Sequence, residues 1–187
     1  MIALGWLLAC GGEGATAVEC ADGVDQDGDG RVDCAEPSCG GFASCETGAV
    51  PVLNELMANN ANGYTDEDGE FEDWLELYNP SSDEVFLEGW SLSDDADVPN
   101  KSLLPNDLAV RAGGFLVLFA DDEPTGELHV RFKLAREGGT VVLAFDGVVV
   151  DRVSYAEQST DVSLARTPDG GLDWGTTDAP TPGGPRE

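Results

Sequence analysis

The sequence predicts an all-β fold, a sandwich or barrel, across residues 50–184, and three observations predict it. Short apolar runs recur at close spacing, each stopped by Gly, Pro, Asn or Asp, which is how short strands are punctuated. Val141-Val142-Leu143-Ala144-Phe145 and Val148-Val149-Val150 flank Asp146-Gly147, the preferred two-residue type I′ hairpin turn. Helical periodicity is absent over any useful length.

The strands expected in order are Val52–Met57, Asp73–Tyr78, Val85–Leu87, Gly89–Ser93, Leu108–Arg111 and Phe115–Ala120, then Val130–Leu134, Thr140–Phe145, Val148–Tyr155 and Ser163–Arg166. In Asp73-Trp74-Leu75-Glu76-Leu77-Tyr78 the alternation places Leu75 and Leu77 on one buried face, with Leu116, Leu118, Leu143 and Val153 completing the core. The Pro- and Gly-rich tail from Thr176 to Glu187 is expected to close the last edge and then fray.

Charge is the second theme. The formal net charge is −28, and residues 51–100 carry 14 Asp and Glu with no Lys or Arg. Such a chain repels the phosphates of nucleic acid and an anionic membrane surface. It favours metal cations and basic partners, and its self-repulsion makes the fold sensitive to low salt. The hydrophobic fraction of 41% is that of a folded core rather than of disorder.

All five cysteines lie in the first 45 residues, at positions 10, 20, 34, 39 and 45. Setting Cys10 apart leaves Cys20, Cys34, Cys39 and Cys45 for two disulfides in an oxidising compartment, with three possible pairings. Leu7-Leu8-Ala9-Cys10-Gly11 resembles a bacterial lipobox, in which the cysteine becomes the lipidated first residue. The apolar run before it is short and has no Lys or Arg ahead of it, which a true start upstream of Met1 would explain. An ordinary apolar N-terminus with a free thiol is the plainer alternative. No other segment approaches the roughly 20 apolar residues that span a bilayer. Residues 1–18 are thus expected to be a signal remnant and tether, and membrane contact is expected only through a lipid on Cys10.

Residues 19–46 form a cysteine-rich unit centred on Asp25-Gln26-Asp27-Gly28-Asp29-Gly30-Arg31-Val32-Asp33-Cys34-Ala35-Glu36. This matches the calcium-loop pattern D-x-D-x-D-G-x5-E. Asp25, Asp27, Asp29, Asp33 and Glu36 supply carboxylates, Gly30 allows the sharp turn, and Arg31 offers its carbonyl. Calcium takes six to eight oxygens, and alternate residues of a tight loop converge theirs on one point. Pro37 and Gly40-Gly41 follow at once, so the piece resembles the helix-poor thrombospondin type 3 repeats more than a paired EF-hand. The plainer alternative is an acidic linker between disulfides.

Asn54-Glu55-Leu56-Met57-Ala58-Asn59-Asn60, Asp66-Glu67-Asp68-Gly69-Glu70, Asp73-Trp74-Leu75-Glu76-Leu77-Tyr78-Asn79 and Gly89-Trp90-Ser91-Leu92-Ser93-Asp94-Asp95 follow one another in this chain. So do Ala112-Gly113-Gly114, Leu128-His129 with Phe132-Lys133-Leu134, and Pro180-Thr181-Pro182-Gly183. Together they resemble the lamin-tail domain of bacterial surface and secreted proteins. The resemblance implies an immunoglobulin-like β-sandwich acting as a non-catalytic module, here preceded by the small disulfide-framed calcium-loop module, and it implies no particular ligand.

Catalytic candidates are few. His129 is the single histidine, and no cysteine lies in this domain to complete a zinc ligand set with it, so a structural role is expected. No G-x-S-x-G motif occurs. Trp74 and Trp90 have the size that fills a sandwich core or its rim, with sugar stacking as the alternative. Asp66, Asp68, Glu70, Glu72, Asp73 and Glu76 crowd one loop, and Asp94, Asp95 and Asp97 follow later. A solvated acidic face is the plain expectation for them, and a second calcium site on Asp66, Asp68 and Glu70 the sharper one.

The expected function is a non-catalytic lipoprotein of the bacterial cell envelope, outer-membrane-anchored or at the cell surface, and secreted if Cys10 is not lipidated. It would bind Ca2+ and scaffold or adhere, with an envelope protein or polysaccharide as partner. The rival expectation is a calcium-dependent hydrolase of glycans or phosphoesters working through Asp66–Glu76.

Overall fold

Period-two alternation decides the first sheet. In a computed structural model describing residues 50–123 and 126–186, β1 (Val52–Met57), β2 (Trp74–Tyr78), β7 (Phe115–Phe119), β10 (Ser163–Arg166) and β11 (Trp174–Thr177) pair antiparallel in the order β11-β10-β1-β2-β7. Leu75 and Leu77 turn to the core while Trp74, Glu76 and Tyr78 take the opposite face. The expectations for Cys10, for Cys20, Cys34, Cys39 and Cys45, and for the loop Asp25–Glu36 lie outside the described residues.

The second sheet runs β5-β4-β8-β9, from β4 (Trp90–Ser93), β5 (Ser102–Leu103), β8 (Gly138–Phe145) and β9 (Val148–Ala156). A two-stranded ladder, β3 (Val85–Phe86) with β6 (Ala109–Val110), closes one side. The β8–β9 turn is the expected hairpin: Asp146 and Gly147 both have positive φ, 47° and 82°, as type I′ geometry requires. The described residues contain no helix. Leu53, Leu75, Leu77 and Leu118 from the first sheet meet Leu92, Val141, Leu143 and Val153 from the second in one continuous core, so the fold is an all-β, immunoglobulin-like sandwich.

Two bulges break the simple alternation. β1 gains an extra residue at Asn54 between the Leu53–Leu77 and Glu55–Glu76 pairs. That insertion reverses the alternation, so Leu53 faces the core while Glu55 faces out beside Glu76. On β9 the register shifts at Val150, leaving both Val150 and Asp151 on the inner side.

Three expectations need correction. Val130–Leu134 is not a ladder strand: Val130, Phe132 and Leu134 are buried, but the segment is joined to the end of β7 only through isolated bridges, Phe119 with His129 and Asp121 with Lys133. Alternation there records burial, not pairing. β5 and β11 lie where the sequence predicts no strand, since β5 is two residues long and Gly175 interrupts β11. The tail does not fray after β11, because Thr181, Gly183 and Arg186 are hydrogen-bonded to carboxylates of the first sheet and its loops. Trp74 and Trp90, 0% and 3% exposed, fill the interior as expected, and the sugar-stacking alternative falls away.

Candidate functional site

The loop between β1 and β2 is built by Asn60. Its side-chain amide donates to the carbonyls of Tyr64 and Glu72 at 2.6 and 2.7 Å, and its Oδ1 accepts from Gly63 N at 3.0 Å. Asp73 Oδ1 in turn accepts from Asn60 N at 3.1 Å. Beyond the loop, Asp161 Oδ1 accepts from the amides of Ala61 and Asn62 at 2.7 and 3.0 Å. Tyr64 stacks on Phe119 with centroids 5.9 Å apart, fixing the loop to the end of β7.

This frame holds the acidic tip. Asp66 Oδ1 accepts from the amides of Asp68 and Glu70 at 2.9 and 2.8 Å, and Gly69 takes a φ of 82°, so one carboxylate stabilises a tight turn that displays the others. Opposite stands the segment after β7. Asp121 is buried and holds His129 Nδ1, while His129 Nε2 faces Glu67 Oε1 at 3.2 Å. The Phe119 ring lies 5.5 Å from the imidazole. Asp66, Asp68, Glu70 and Glu72 from one loop, with Asp121 and Glu123 from the other, wall a cleft of ≈ 250 Å³ around His129.

The field of this cleft is visible in its titrating groups. Burial lowers the affinity of His129 for its proton, but hydrogen bonds and charge from Asp121 and Glu67 outweigh it and raise the pKa. Glu72 is pushed up by burial and by the nearby Asp121 charge. Asp73 is also raised, chiefly by burial. The carboxylates that wall the cleft give it a negative field that attracts cations.

Of the residues singled out in the sequence, the cleft brings together Asp66, Asp68, Glu70 and Glu72. Asp73 turns inward to the amide of Asn60, and Glu76 lies fully buried on the outer face of the first sheet, away from the cleft. Asp94 pairs with Lys101 at 2.5 Å, and Asp95 caps a turn through Asp97 N at 2.9 Å. No group of three or more His, Cys, Asp or Glu in metal-holding positions occurs among the described residues. Asp66, Asp68 and Glu70 share one rim of the cleft.

Sequence reasoning missed Asp121 and Glu123. Their signal was the acidic run Asp121-Asp122-Glu123 directly after a strand, a place where loops carry binding groups. His129 joins the two loops through Asp121 and Glu67 and faces the cleft. A second groove of ≈ 390 Å³ runs beside β9 and β11, with Tyr155 and Trp174 among its walls. The guanidinium of Arg166 stacks over the Trp174 ring at 4.8 Å.

No curated protein matches the chain. The profile of the family described as Lamin Tail Domain matches residues 46–157, which include the acidic loop, the Asp121–His129 pair and both strands of the β8–β9 hairpin. The match covers more than half of the chain, and the protein belongs to the lamin tail domain family.

Proposed function

We propose that this chain is a non-catalytic lipoprotein of the bacterial cell envelope, a calcium-binding scaffolding or adhesion module that meets its partner through the loops of the sandwich. The observation that carries this reading is the division of its carboxylates. Glu55, Glu76 and Asp151 inside the fold are engaged in structural hydrogen bonds, whereas Asp66, Asp68 and Glu70 stand on a braced loop at the surface. A rigid scaffold presenting charged loops suits recognition of a cationic surface on an envelope protein or a metal-bridged polysaccharide.

Calcium belongs, on this reading, to Asp25, Asp27, Asp29, the Arg31 carbonyl, Asp33 and Glu36, framed by disulfides among Cys20, Cys34, Cys39 and Cys45. Lipid on Cys10 provides the anchor. Calorimetry on the oxidised full chain tests the calcium assignment: one site of about 10⁻⁴–10⁻³ M is expected, weakened by Asp27→Ala and by reduction. Absence of heat at millimolar calcium removes it.

A calcium-dependent hydrolase of glycans or phosphoesters is the second reading, and the pairing of Asp121 with His129 beside an acidic cleft favours it. Turnover that requires calcium and disappears in His129→Ala would install it in place of the first.

A further inference from the structure

Two carboxylates stand side by side in the middle of the first sheet, on its outer face, where sandwich strands ordinarily meet water. Glu55 is 1% exposed and Glu76 0%. Both are covered by the chain's own residues 181–186. Glu55 Oε2 accepts from Thr181 N at 3.2 Å and from Thr181 Oγ1 at 2.9 Å, and Glu76 Oε2 accepts from Gly183 N at 2.6 Å. Asp169 Oδ2 accepts from Arg186 N at 2.9 Å, while Arg186 Nη2 lies 3.0 Å from Glu55 Oε1. The bulge residue Asn54 locks the floor, donating to Glu76 Oε1 and Asp169 Oδ1, each at 3.0 Å.

We propose that this notch is a docking site for an extended peptide of the pattern Thr-x-Gly-x-x-Arg, occupied here in cis by residues 181–186 and open to a cationic segment of the same pattern from another polypeptide. Each position of the pattern has its own reader. Thr181 presents an N–H and an O–H to one carboxylate. Gly183 presents an N–H to the next from a φ of 77°, a conformation that favours glycine over any residue with a Cβ. Arg186 sets its guanidinium 3.0 Å from Glu55 and its backbone N–H on Asp169, so the notch favours a cationic side chain at this position.

The grip is polar throughout. The segment Thr181-Pro182-Gly183-Gly184-Pro185-Arg186 contains no large apolar side chain, so lifting it leaves the main core intact, as a locally opening segment requires. The notch depends neither on calcium nor on the lipid anchor, so a failed peptide test would leave those assignments untouched.

Fluorescence polarisation of a labelled Thr-Pro-Gly-Gly-Pro-Arg peptide tests it on the full chain. Gly183→Pro removes the donor to Glu76 and disallows the local φ, freeing the notch. The opened chain is expected to bind the peptide roughly tenfold more tightly than wild type, whose own segment competes. Adding Glu55→Gln to the opened chain, or replacing the third-position glycine of the peptide with proline, should each weaken binding by roughly the same factor. A folded, opened chain that ignores the peptide at millimolar concentration overturns the proposal. So does equal affinity for the proline-containing peptide, which would mean attraction by charge alone. Should Gly183→Pro fail to fold, Arg186→Ala opens the notch by removing the counter-charge and is read in the same way.

Discussion

Arg166 on β10 reaches across the sandwich to Asp151 on β9, its Nη2 lying 2.9 and 3.0 Å from the two carboxylate oxygens. The same guanidinium donates to the Leu53 carbonyl at 2.6 Å and the Gly171 carbonyl at 2.5 Å. Asp151 Oδ2 also accepts from Leu53 N at 2.8 Å. One ion pair therefore joins an edge strand of the second sheet to the centre of the first. Burial raises the Asp151 carboxyl pKa, and the Arg166 charge offsets part of that rise.

Removing only one partner leaves the other without its counter-charge. Asp151→Ala is expected to cost about 3–5 kcal/mol in urea unfolding, whereas Asp151→Ala combined with Arg166→Met should recover much of the loss. Additive losses in the double variant would show that the two side chains act independently.

Leu77 sits on the opposite logic, with no polar partner at all. It is fully buried and pairs in register with Leu53 and Leu116. Leu77→Ala should destabilise the fold by about 2–5 kcal/mol, the range for buried leucine truncation. A loss below about 1 kcal/mol would mean that the surrounding side chains collapse into the space.

Leu75, Leu77, Leu118, Leu143 and Val153 were legible as core because alternation is a local property, and the hairpin at Asp146-Gly147 was legible because its turn chemistry is local too. Glu76 reads as part of a solvated acidic face, since the segment that buries it lies more than 100 positions away. The Asn54 bulge left no mark either: a single inserted residue changes which face Glu55 takes without changing the composition of the strand. The cleft was half legible. Asp66, Asp68, Glu70 and Glu72 announced themselves by density, but their meeting with Asp121 and His129 depends on how two loops cross at the end of β7. Val130–Leu134 misled because burial on alternate residues needs only an extended chain, not a partner strand.

Glu76 should govern part of the pH dependence of stability. Burial pushes its carboxyl up from 4.5 to about 7, against the hydrogen bonds from Asn54 and Gly183. Its folded pKa thus exceeds its unfolded one. The associated stabilisation is complete below the unfolded value and is lost as pH rises through about 7. Between those limits the melting temperature of wild type should fall with rising pH more steeply than that of Glu76→Gln, which has no proton to lose. Absolute stability is not the readout, because a glutamine amide can set a donor against Asn54 Nδ2. Parallel slopes in the two proteins would remove Glu76 as the source and leave general charge repulsion as the cause.

His129 offers the sharpest measurement, because it is the single histidine in the chain and its imidazole resonance needs no assignment. Burial alone would depress its pKa, yet Asp121 and Glu67 raise it above 6.5. A proton NMR titration should accordingly give a midpoint above that value. The sign follows from linkage: the pairing stabilises the fold fully below the unfolded pKa and fades as pH climbs through the raised one. The two partners should separate in the titration. Asp121 is buried, so Asp121→Asn should bring the midpoint down at any ionic strength, whereas the exposed Glu67 should lose its pull in concentrated salt. Protein melting should show the same pattern, with His129→Asn less stable than wild type near pH 6 and the gap narrowing on the alkaline side. A midpoint at or below 6.5 would mean that burial outweighs both carboxylates and that the two loops meet without an ion pair.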